Sequence, residues 1–516
     1  MRASRRSRTA IAAVAVAALA LTACSSDAES EGPDSSETPA GSESSPTTGE
    51  VVVASTAITS TLDPHAALSS VGRTYTRQVF DTLVAFDADG VLQPGLATEW
   101  ERVDDVTMEF TLREGVTFQS GEPFTGQAVA DNLARIKSGA PEFGLLAGRL
   151  GPIAEVEVVS DTVVRVITSA PDAVLLNRLT VFDILDPAAF DVAATEPSGT
   201  GPYRVVSHTP AEEIVLEAFE DSWRAPTSVT GATLVAIPSP TTMASALQTD
   251  EVDIAYGVPA DVALQLEGQG FTVTNRPAGS AAINSLIADA EPMLEDQRVR
   301  EAINLAINRE EFVEAALGGF GIPNGSQFLQ EGYFGHDPSI EPFTYDPDRA
   351  MTLIEEAGAE GLSLPIATTA LFAAQAEAVA GYLNAVGFQS EVVIQELSAF
   401  IPTLLQQSEY PLLYWQTDYF DLRDIASVTR FGPTGEGQQA HIPVNDYQDL
   451  FVSQAGMLDP AEREATIQEM ANILRDEAGV LFLAWPEILY TSASDVGALP
   501  LGGDSLVRLE EIELQS

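Results

Sequence analysis

The chain of 516 residues contains a single cysteine, Cys24, which stands directly after an uncharged apolar run from Thr9 to Ala23. Four arginines precede this run: Arg2, Arg5, Arg6 and Arg8. A basic segment followed by a short apolar one is the layout of a secretory signal peptide, and a membrane-spanning helix needs roughly 20 apolar residues. We therefore predict that residues 1–23 are a cleaved leader. With no second thiol, intramolecular disulfides are impossible, so noncovalent contacts must hold the fold together.

The last residues of the leader, Leu21-Thr22-Ala23-Cys24, resemble a bacterial lipobox. In proteins with this motif the thiol receives a diacylglycerol and the new N-terminus is acylated after cleavage. The resemblance implies that Cys24 is a lipidation site and that the protein is anchored to the cell membrane on its extracytoplasmic face. The Arg5-Arg6 pair leaves both Sec and twin-arginine export open.

A polar segment follows the cysteine. Residues 24–50 consist mainly of Ser, Glu, Asp, Thr, Pro and Gly, a composition that buries too little apolar surface to fold. We predict a disordered tether here. The remaining chain of about 465 residues is long enough for two or three lobes with their own cores.

The charge balance excludes several classes of function. Against 76 Asp and Glu the chain has 25 Lys and Arg, which gives a formal net charge of −51. Phosphate binding needs clustered cations, so nucleic acid is excluded as a partner. Lys137 is the sole lysine and lies in no glycine-rich phosphate-binding motif, which argues against P-loop and kinase-type sites. A strongly acidic surface favours cationic ligands through long-range steering.

Strand patterns occur at several places in the folded part. Residues 51–53 predict an opening strand, and alternation of apolar and polar residues predicts hairpins over 106–118 and 154–168. Over 232–257 the order strand, helix, strand indicates a parallel crossover.

Helix signals alternate with these strands. Apolar residues at helical spacing over 299–307 predict one helix, and Asn308 begins a second one with a capping box. Asp346 and Asp459, each followed by proline, predict two more helix starts, and residues 480–485 read as a buried strand. The patterns together indicate a mixed α/β chain without internal repeats.

Seven segments are similar, in order, to one protein family. They are LDPH at 62–65, VFDTLVAFDADGVLQPGLATEWE at 79–101, FTLREGVTFQSGEPFTGQAVADNLARI at 110–136, GTGPYRVV at 199–206, IPSPTTMASALQTDEVDI at 237–254, VREAINLAINREEFVEAALGG at 299–319 and YDPDRAMTLIEEAG at 345–358. This ordered set resembles the family 5 extracellular solute-binding proteins of bacterial ABC importers, the peptide- and nickel-binding group. The likeness covers nearly all of residues 51–490. It agrees with the lipobox, because such receptors are commonly lipid-anchored in bacteria that lack a periplasm.

The resemblance implies a two-lobed α/β clamshell of the periplasmic-binding-protein type (type II, cluster C) with an extra inserted domain. The implied domains are lobe I (51–76, 197–277 and 486–516), the inserted domain (77–196) and lobe II (278–485). Two chain crossings, near 278 and 485, would form the hinge.

The same resemblance implies a function in import. The protein would capture a small ligand by closure of its lobes and deliver it to the permease and ATPase subunits of an ABC transporter. Binding of this kind makes and breaks no bond, so we expect no enzymatic activity and no cofactor. We expect a monomer with short peptides as the preferred ligand.

The family places ligand contacts in the stretch that corresponds to residues 410–432. The ligand-binding residues implied here are Trp415, Asp418, Tyr419, Tyr414 and Arg430. In peptide-binding members an Asp shortly after the Trp receives the peptide's α-ammonium group, and Asp418 matches it best; such a pair offsets the cost of desolvating both charges. Trp415 and Tyr419 would form flat walls, and Arg430 would bind a ligand carboxylate. The chain departs from the family's Asp-Tyr-Pro-Asp-Pro continuation, because it has neither proline.

A nickel or metallophore chelate is the alternative ligand. Nickel-binding members also have a Trp and a Tyr four residues apart, as Trp415 and Tyr419 are, and FQSGEPF at 118–124 is close to their version. His441 would then be a metal ligand. An arginine expected before the DPAAF segment of 186–190 is absent, and Asp183 lies nearby instead.

Other interpretations stay open at this point. Trp415 and Tyr414 end an apolar strand and suit a core, Asp418 suits a cap of the next turn, and Arg430 suits a surface ion pair. A secreted hydrolase or a surface chaperone would be alternatives to a receptor, but the chain has no GxSxG motif. Its four histidines form neither HExxH nor a Cys/His cluster, so a zinc site is unsupported.

Overall fold

The computed structural model describes residues 48–67, 70–226, 228–405, 408–418, 422–428 and 447–515. Of Asp418 it describes the backbone. The predicted leader, Cys24 and most of the predicted tether lie outside these residues, as do Tyr419, Arg430 and His441.

The strands of the described chain are β1 Gly49–Ser55, β2 Val84–Phe86, β3 Leu92–Pro94, β4 Ala97–Arg102, β5 Thr107–Leu112, β6 Ile153–Ser160, β7 Val163–Thr168, β8 Tyr203–Thr209, β9 Glu213–Ala218, β10 Val229–Ala236, β11 Ile254–Tyr256, β12 Thr272–Pro277, β13 Ser280–Leu286, β14 Gly321–Pro323, β15 Ile366–Thr369, β16 Val392–Gln395, β17 Leu412–Asp418 and β18 Val480–Ser492. β1 begins two residues before the predicted strand and therefore includes the last residues assigned to the tether.

The α-helices of the described chain are α1 Ser70–Val79, α2 Gly126–Ile136, α3 Gly144–Arg149, α4 Leu175–Leu179, α5 Pro240–Gln248, α6 Ala260–Glu267, α7 Gln297–Leu305, α8 Arg309–Ala316, α9 Pro347–Ala357, α10 Ala373–Ala385, α11 Leu397–Leu405, α12 Ile425–Val428, α13 Tyr447–Gln454 and α14 Pro460–Asp476. None of the helices in the described ranges is long and apolar enough to cross a membrane.

The predicted helix starts are confirmed. Asn308, Asp346 and Asp459 each accept a hydrogen bond from a backbone N–H in the first turn of α8, α9 and α14. α9 ends at Gly358, whose φ of 68° is the left-handed conformation that favours glycine. These local signals were sufficient because a cap requires only residues within four positions of each other.

One large sheet passes through the molecule. In the described residues it has 12 strands in the order β16-β15-β17-β13-β18-β11-β1-β10-β9-β8, with β12 and β14 also paired to β18. β1 lies between β10 and β11 and is parallel to both, which confirms the predicted crossover over 232–257. A separate sheet of four strands, β4-β5-β7-β6, belongs to the range named as the inserted domain.

β18 connects the two halves of the large sheet. Its first residues, 480–484, pair with β13, and residues 487–492 pair with β12. Between these two stretches the amide of Ala278 donates to the carbonyl of Pro486 at 2.9 Å. The chain therefore passes between the halves at 277–280 and again at 484–487. We keep the names lobe I, lobe II and inserted domain for the predicted ranges, whose boundaries remain predictions.

The two predicted hairpins have different outcomes. β6 and β7 form the antiparallel pair expected over 154–168. The hairpin expected over 106–118 is wrong: β5 pairs with β4 and β7, and Thr117 makes only an isolated bridge to Pro123. Alternation specifies which face of a strand is buried, but it does not specify the partner strand.

Candidate ligand-binding site

Three parallel strands of lobe II end at the same edge of the sheet. Thr369 of β15 is in register with Gln395 of β16, and β17 runs parallel to β15 and ends at Asp418. On its other side Asp418 is paired with Ser280, the first residue of β13 after the chain crossing. Ligands of open α/β sheets bind beyond the carboxyl ends of the strands. The backbone of Asp418 thus occupies such an edge, directly beside the connection between the lobes.

Tyr414 and Trp415 lie on opposite faces of β17, as successive strand residues do. Tyr414 is fully buried in one apolar cluster of lobe II, its ring centroid 5.8 Å from that of Phe372, and burial raises the pKa of its hydroxyl well above the ordinary range. Trp415 is 3% exposed within a second cluster, and its Nε1 donates to Ser285 Oγ at 2.9 Å. Both rings occupy core positions in this structure, and their contact with a ligand stays a prediction.

The segment that follows β17 contacts three parts of the molecule through three successive residues. Leu422 is buried in the apolar cluster of the inserted domain, and its carbonyl accepts a hydrogen bond from Asn177 at 2.7 Å. Arg423 Nη1 donates to the carbonyl of Gly503, in the C-terminal part of lobe I, at 2.6 Å.

The third residue, Asp424, forms a buried ion pair with Arg463 of α14 in lobe II, with 2.7 Å between Oδ1 and Nη2. Residues 422–424 therefore join the inserted domain, lobe I and lobe II within one short stretch. Sequence reasoning missed these residues. The sequence shows only that an aspartate stands on each side of the Leu422-Arg423 pair. This pattern does not indicate which residues the segment contacts.

A cavity of about 550 Å³ lies between the inserted domain and lobe II, next to this segment. Gly144, Arg149 and Arg178 line it on one side, and Ala426 and Phe451 line it on the other. Its volume is in the range of cavities that hold small organic ligands.

A second cavity, of about 320 Å³, lies between α1, the β2–β3 hairpin and the C-terminal segment. Seven charged residues line it among apolar and neutral ones, and the charged Asp504 lies behind them. Arg224 binds Asp81 at 2.6 Å, and Arg77 binds Asp504 at 2.5 Å. Burial by itself would raise the pKa of Asp504, but Arg77 and neighbouring arginines hold it well below its usual range. The charges here pair with one another, so we interpret this network as structural.

Asp183, noted above for its position before the DPAAF segment, is buried. Burial raises the pKa of its carboxyl group despite the nearby Arg73 and Arg77. Within the described part of the chain, no group of three or more His, Cys, Asp or Glu side chains is arranged to hold a metal ion. His441, the metal ligand of the alternative interpretation, lies outside that part.

Comparison with known proteins settles the family. The model for the bacterial extracellular solute-binding proteins, family 5 Middle, matches residues 91–437. The chain belongs to this family. The family consists of solute-binding proteins of ABC importers, so an extracytoplasmic location follows from membership.

Two relatives of this family 5 protein bind different ligands. A nickel-binding periplasmic protein of Escherichia coli (strain K12) is 25% identical over 468 residues, which cover 82% of this chain and 86% of the relative. A glutathione-binding protein of the same strain is 28% identical over 321 residues, which cover 60% of this chain and 61% of the relative. The chain thus spans about three fifths of the length of its glutathione-binding relatives.

Two solved structures share the fold of this family 5 protein. NikA from Brucella suis, in complex with Fe(III)-EDTA, superposes with a TM-score of 0.81 at 23% identity and covers 90% of this chain and 100% of that one. DppA from Helicobacter pylori, in complex with the peptide STSA, gives a TM-score of 0.76 at 23% identity, with coverage of 92% and 99%. The predicted fold class, a two-lobed α/β binding protein of type II, is confirmed.

Proposed function

We propose that this protein is a lipid-anchored receptor of an ABC importer that captures short peptides by closure of its lobes and delivers them to a membrane permease. It acts outside the cytoplasm as a monomer, without a cofactor, and catalyses no reaction. Its partners are the peptide, the permease and ATPase subunits, and the membrane that holds the lipid on Cys24.

One observation carries this proposal. β17 ends with Asp418 at the carboxyl edge of the lobe II strands, and the next described residues, Leu422 to Asp424, contact all three domains. A ligand bound at this edge would lie where the domains meet, so closure would enclose it. A carboxylate at such a position suits the ammonium group of a peptide, because a charge-assisted hydrogen bond offsets desolvation.

A nickel or metallophore chelate is the second candidate. The observation in its favour is coverage: the nickel-binding relative aligns with 82% of this chain, whereas the glutathione-binding relative aligns with 60%. In this case the aromatic residues Trp415 and Tyr419 would contact the chelate, and His441 would complete the coordination of the metal.

Calorimetry distinguishes the two candidates. The full chain, freed of bound ligand by partial unfolding and refolding, is titrated with Ala-Ala-Ala, with glutathione and with a nickel–histidine complex. We expect saturable binding of Ala-Ala-Ala and no heat from the nickel complex. Binding of the nickel complex alone would replace the peptide proposal with the chelate.

The lipid anchor has its own test. In a bacterial host that processes lipoproteins, the parent chain should fractionate with membranes and acquire the mass of a diacylglycerol on its N-terminal peptide. Replacement of Cys24 by Ser should remove both properties. A parent chain whose mature N-terminal peptide has no lipid would contradict the anchor but leave the ligand proposal intact.

A further inference from the structure

Arg423 contacts lobe I from the lobe II side through a side-chain hydrogen bond. We propose that Arg423 is a positioning residue for ligand capture, whose guanidinium holds the lobes in the closed arrangement and so slows release of the ligand. The inference rests on the proposed function, because it assigns this residue to the closure step that retains the peptide.

The contacts of Arg423 come from three directions. Its Nη1 donates to the carbonyl of Gly503 at 2.6 Å and to the hydroxyl of Tyr333 at 3.2 Å. The guanidinium carbon lies 4.1 Å from the ring centroid of Tyr333 and 5.7 Å from that of Phe86. Tyr333 belongs to lobe II, Gly503 to lobe I and Phe86 to the inserted domain. One side chain therefore combines a charge-assisted hydrogen bond with stacking across the domain junction.

The local backbone is adapted to this placement. Arg423 has a φ of +51°, the left-handed conformation that residues with a side chain rarely adopt. Gly90, on the opposite side, has a φ of +79°, and a Cβ there would overlap the guanidinium of Arg423. A residue other than glycine at position 90 would therefore displace the arginine. The left-handed backbone of Arg423 and the requirement for glycine at position 90 thus occur at the same contact. Such coincidence is expected where a position is functionally constrained.

Arg276 binds the same two loops that Arg423 contacts. It lies at the end of β12, before the chain crossing, and donates to the carbonyls of Leu501 and Ala88. These carbonyls belong to the two loops, 86–90 and 501–503, that Arg423 also contacts. Because Arg276 is on the lobe I side of the crossing, we expect its bonds to persist when the lobes separate. Arg276 thus keeps the acceptor loops in place, and Arg423 makes one of the contacts that opening would break, beside those of Leu422 with the inserted domain.

The neighbours of Arg423 hold the segment independently of it. Leu422 is anchored in the apolar core of the inserted domain, and Asp424 is anchored by its ion pair with Arg463. Replacement of Arg423 should therefore leave the fold intact and affect the relation between the lobes. This separation makes the proposal testable.

Arg475 provides a matched control. Its guanidinium carbon lies 3.6 Å from the ring centroid of Phe343, and its Nε donates to the carbonyl of Glu341 at 2.7 Å. These contacts are of the same kind as those of Arg423, but all three residues belong to lobe II. Arg475→Ala removes an equivalent stacked arginine without a contact across the lobes.

The experiment compares the parent chain with Arg423→Ala, Arg423→Lys and Arg475→Ala. Each carries Cys24→Ser and cysteines for spin labels at two exposed positions, Val206 in lobe I and Leu371 in lobe II. Distances between the labels are measured with and without Ala-Ala-Ala, together with the dissociation rate of that peptide.

We expect Arg423→Ala to lengthen the mean distance in the absence of ligand and to speed peptide dissociation about tenfold. Arg423→Lys should recover part of both effects, since an ammonium can donate to a carbonyl but cannot present a planar group to two rings. Arg475→Ala should match the parent.

Distances and dissociation rates of Arg423→Ala equal to those of the parent would overturn the inference. If Ala-Ala-Ala does not bind the parent chain, the peptide proposal fails, but the ligand-free distances still test the role of Arg423. If Arg423→Ala does not fold, Arg423→Lys is compared with the parent instead, and smaller changes in the same direction are expected.

Discussion

Ser280 and Asp418 are paired across the antiparallel strands β13 and β17, and Ser280 follows directly on the point where the chain passes between the lobes. The sheet therefore fixes the backbone of Asp418 close to the connection about which the lobes would move. A group near a hinge changes its distance to the opposite lobe less than a group at the rim does. An anchor for the ligand at this position would hold it in both the open and the closed arrangements.

We predict that Asp418→Asn weakens binding of Ala-Ala-Ala at least tenfold, or roughly 1.5–3 kcal/mol, because the peptide ammonium loses a charged acceptor. The melting temperature should not fall. Calorimetry measures the affinity, and Asp348→Asn, an exposed acid on α9, is the control. Equal affinities of the Asp418 variant and the parent would remove Asp418 from the site.

Trp415 can be assigned to the core or to the ligand wall by one pair of measurements. Its bond to Ser285 is buried, so Ser285→Ala should lower the free energy of unfolding by about 1–2 kcal/mol in urea titrations. Trp415→Phe should also lower it. If Trp415 contacts the ligand, only Trp415→Phe also weakens peptide binding. Unchanged binding by both variants would make Trp415 a core residue alone.

Arg309 is predicted to be a major determinant of stability. The side chain is 4% exposed, and its Nε donates to the carbonyls of Asn324 and Phe482 at 3.0 and 2.8 Å. Arg309→Met would leave these carbonyls and others without donors, which should cost about 3–5 kcal/mol. The exposed ion pair of Arg298 with Asp296 is the control, and Arg298→Ala should cost under about 1 kcal/mol. Similar losses in urea for both variants would contradict this account.

His65 should make the protein less stable in acid. It lies buried in the LDPH turn, where Arg135 donates to Nδ1 at 2.7 Å and the carbonyl of Asp183 is 3.1 Å from Nε2. Burial lowers its pKa to about 4. The fold favours the neutral imidazole, so its contribution is complete above pH 6.5 and is lost as the pH falls towards 4.

The free energy of unfolding should therefore decrease by up to about 3 kcal/mol over this interval because of His65. His65→Gln removes the titrating group, so the unfolding free energy of this variant should depend less steeply on pH between 6.5 and 4. Parallel pH profiles of the parent and His65→Gln would show that His65 titrates alike in the folded and unfolded chains.

Much of the fold was accessible from the sequence, and the limits have physical causes. The helix starts at Asn308, Asp346 and Asp459 could be predicted. An N-cap side chain bonds to a backbone N–H within the next four residues, so the signal is local. The hairpin over 106–118 was wrong because β5 pairs with β4, a choice that depends on packing rather than on alternation. Residues 412–415 of β17 are all buried, so both faces of the strand are covered, and an apolar run could not show whether Tyr414 or Trp415 faces a ligand.

The domain junction at 422–424 was beyond prediction for a related reason. Leu422, Arg423 and Asp424 find the partners named above between 39 and 337 positions away along the chain. No local pattern encodes such contacts, and the family resemblance placed the ligand stretch without showing which of its residues join the lobes.

The most direct test of the account is mass spectrometry of the small molecules released from natively purified protein, with metal analysis of the same sample. The peptide receptor proposed here predicts a mixed population of short peptides and substoichiometric nickel. Stoichiometric nickel with a single organic chelator would contradict the peptide proposal. Trp415, Tyr419 and His441 would then be the proposed ligand contacts.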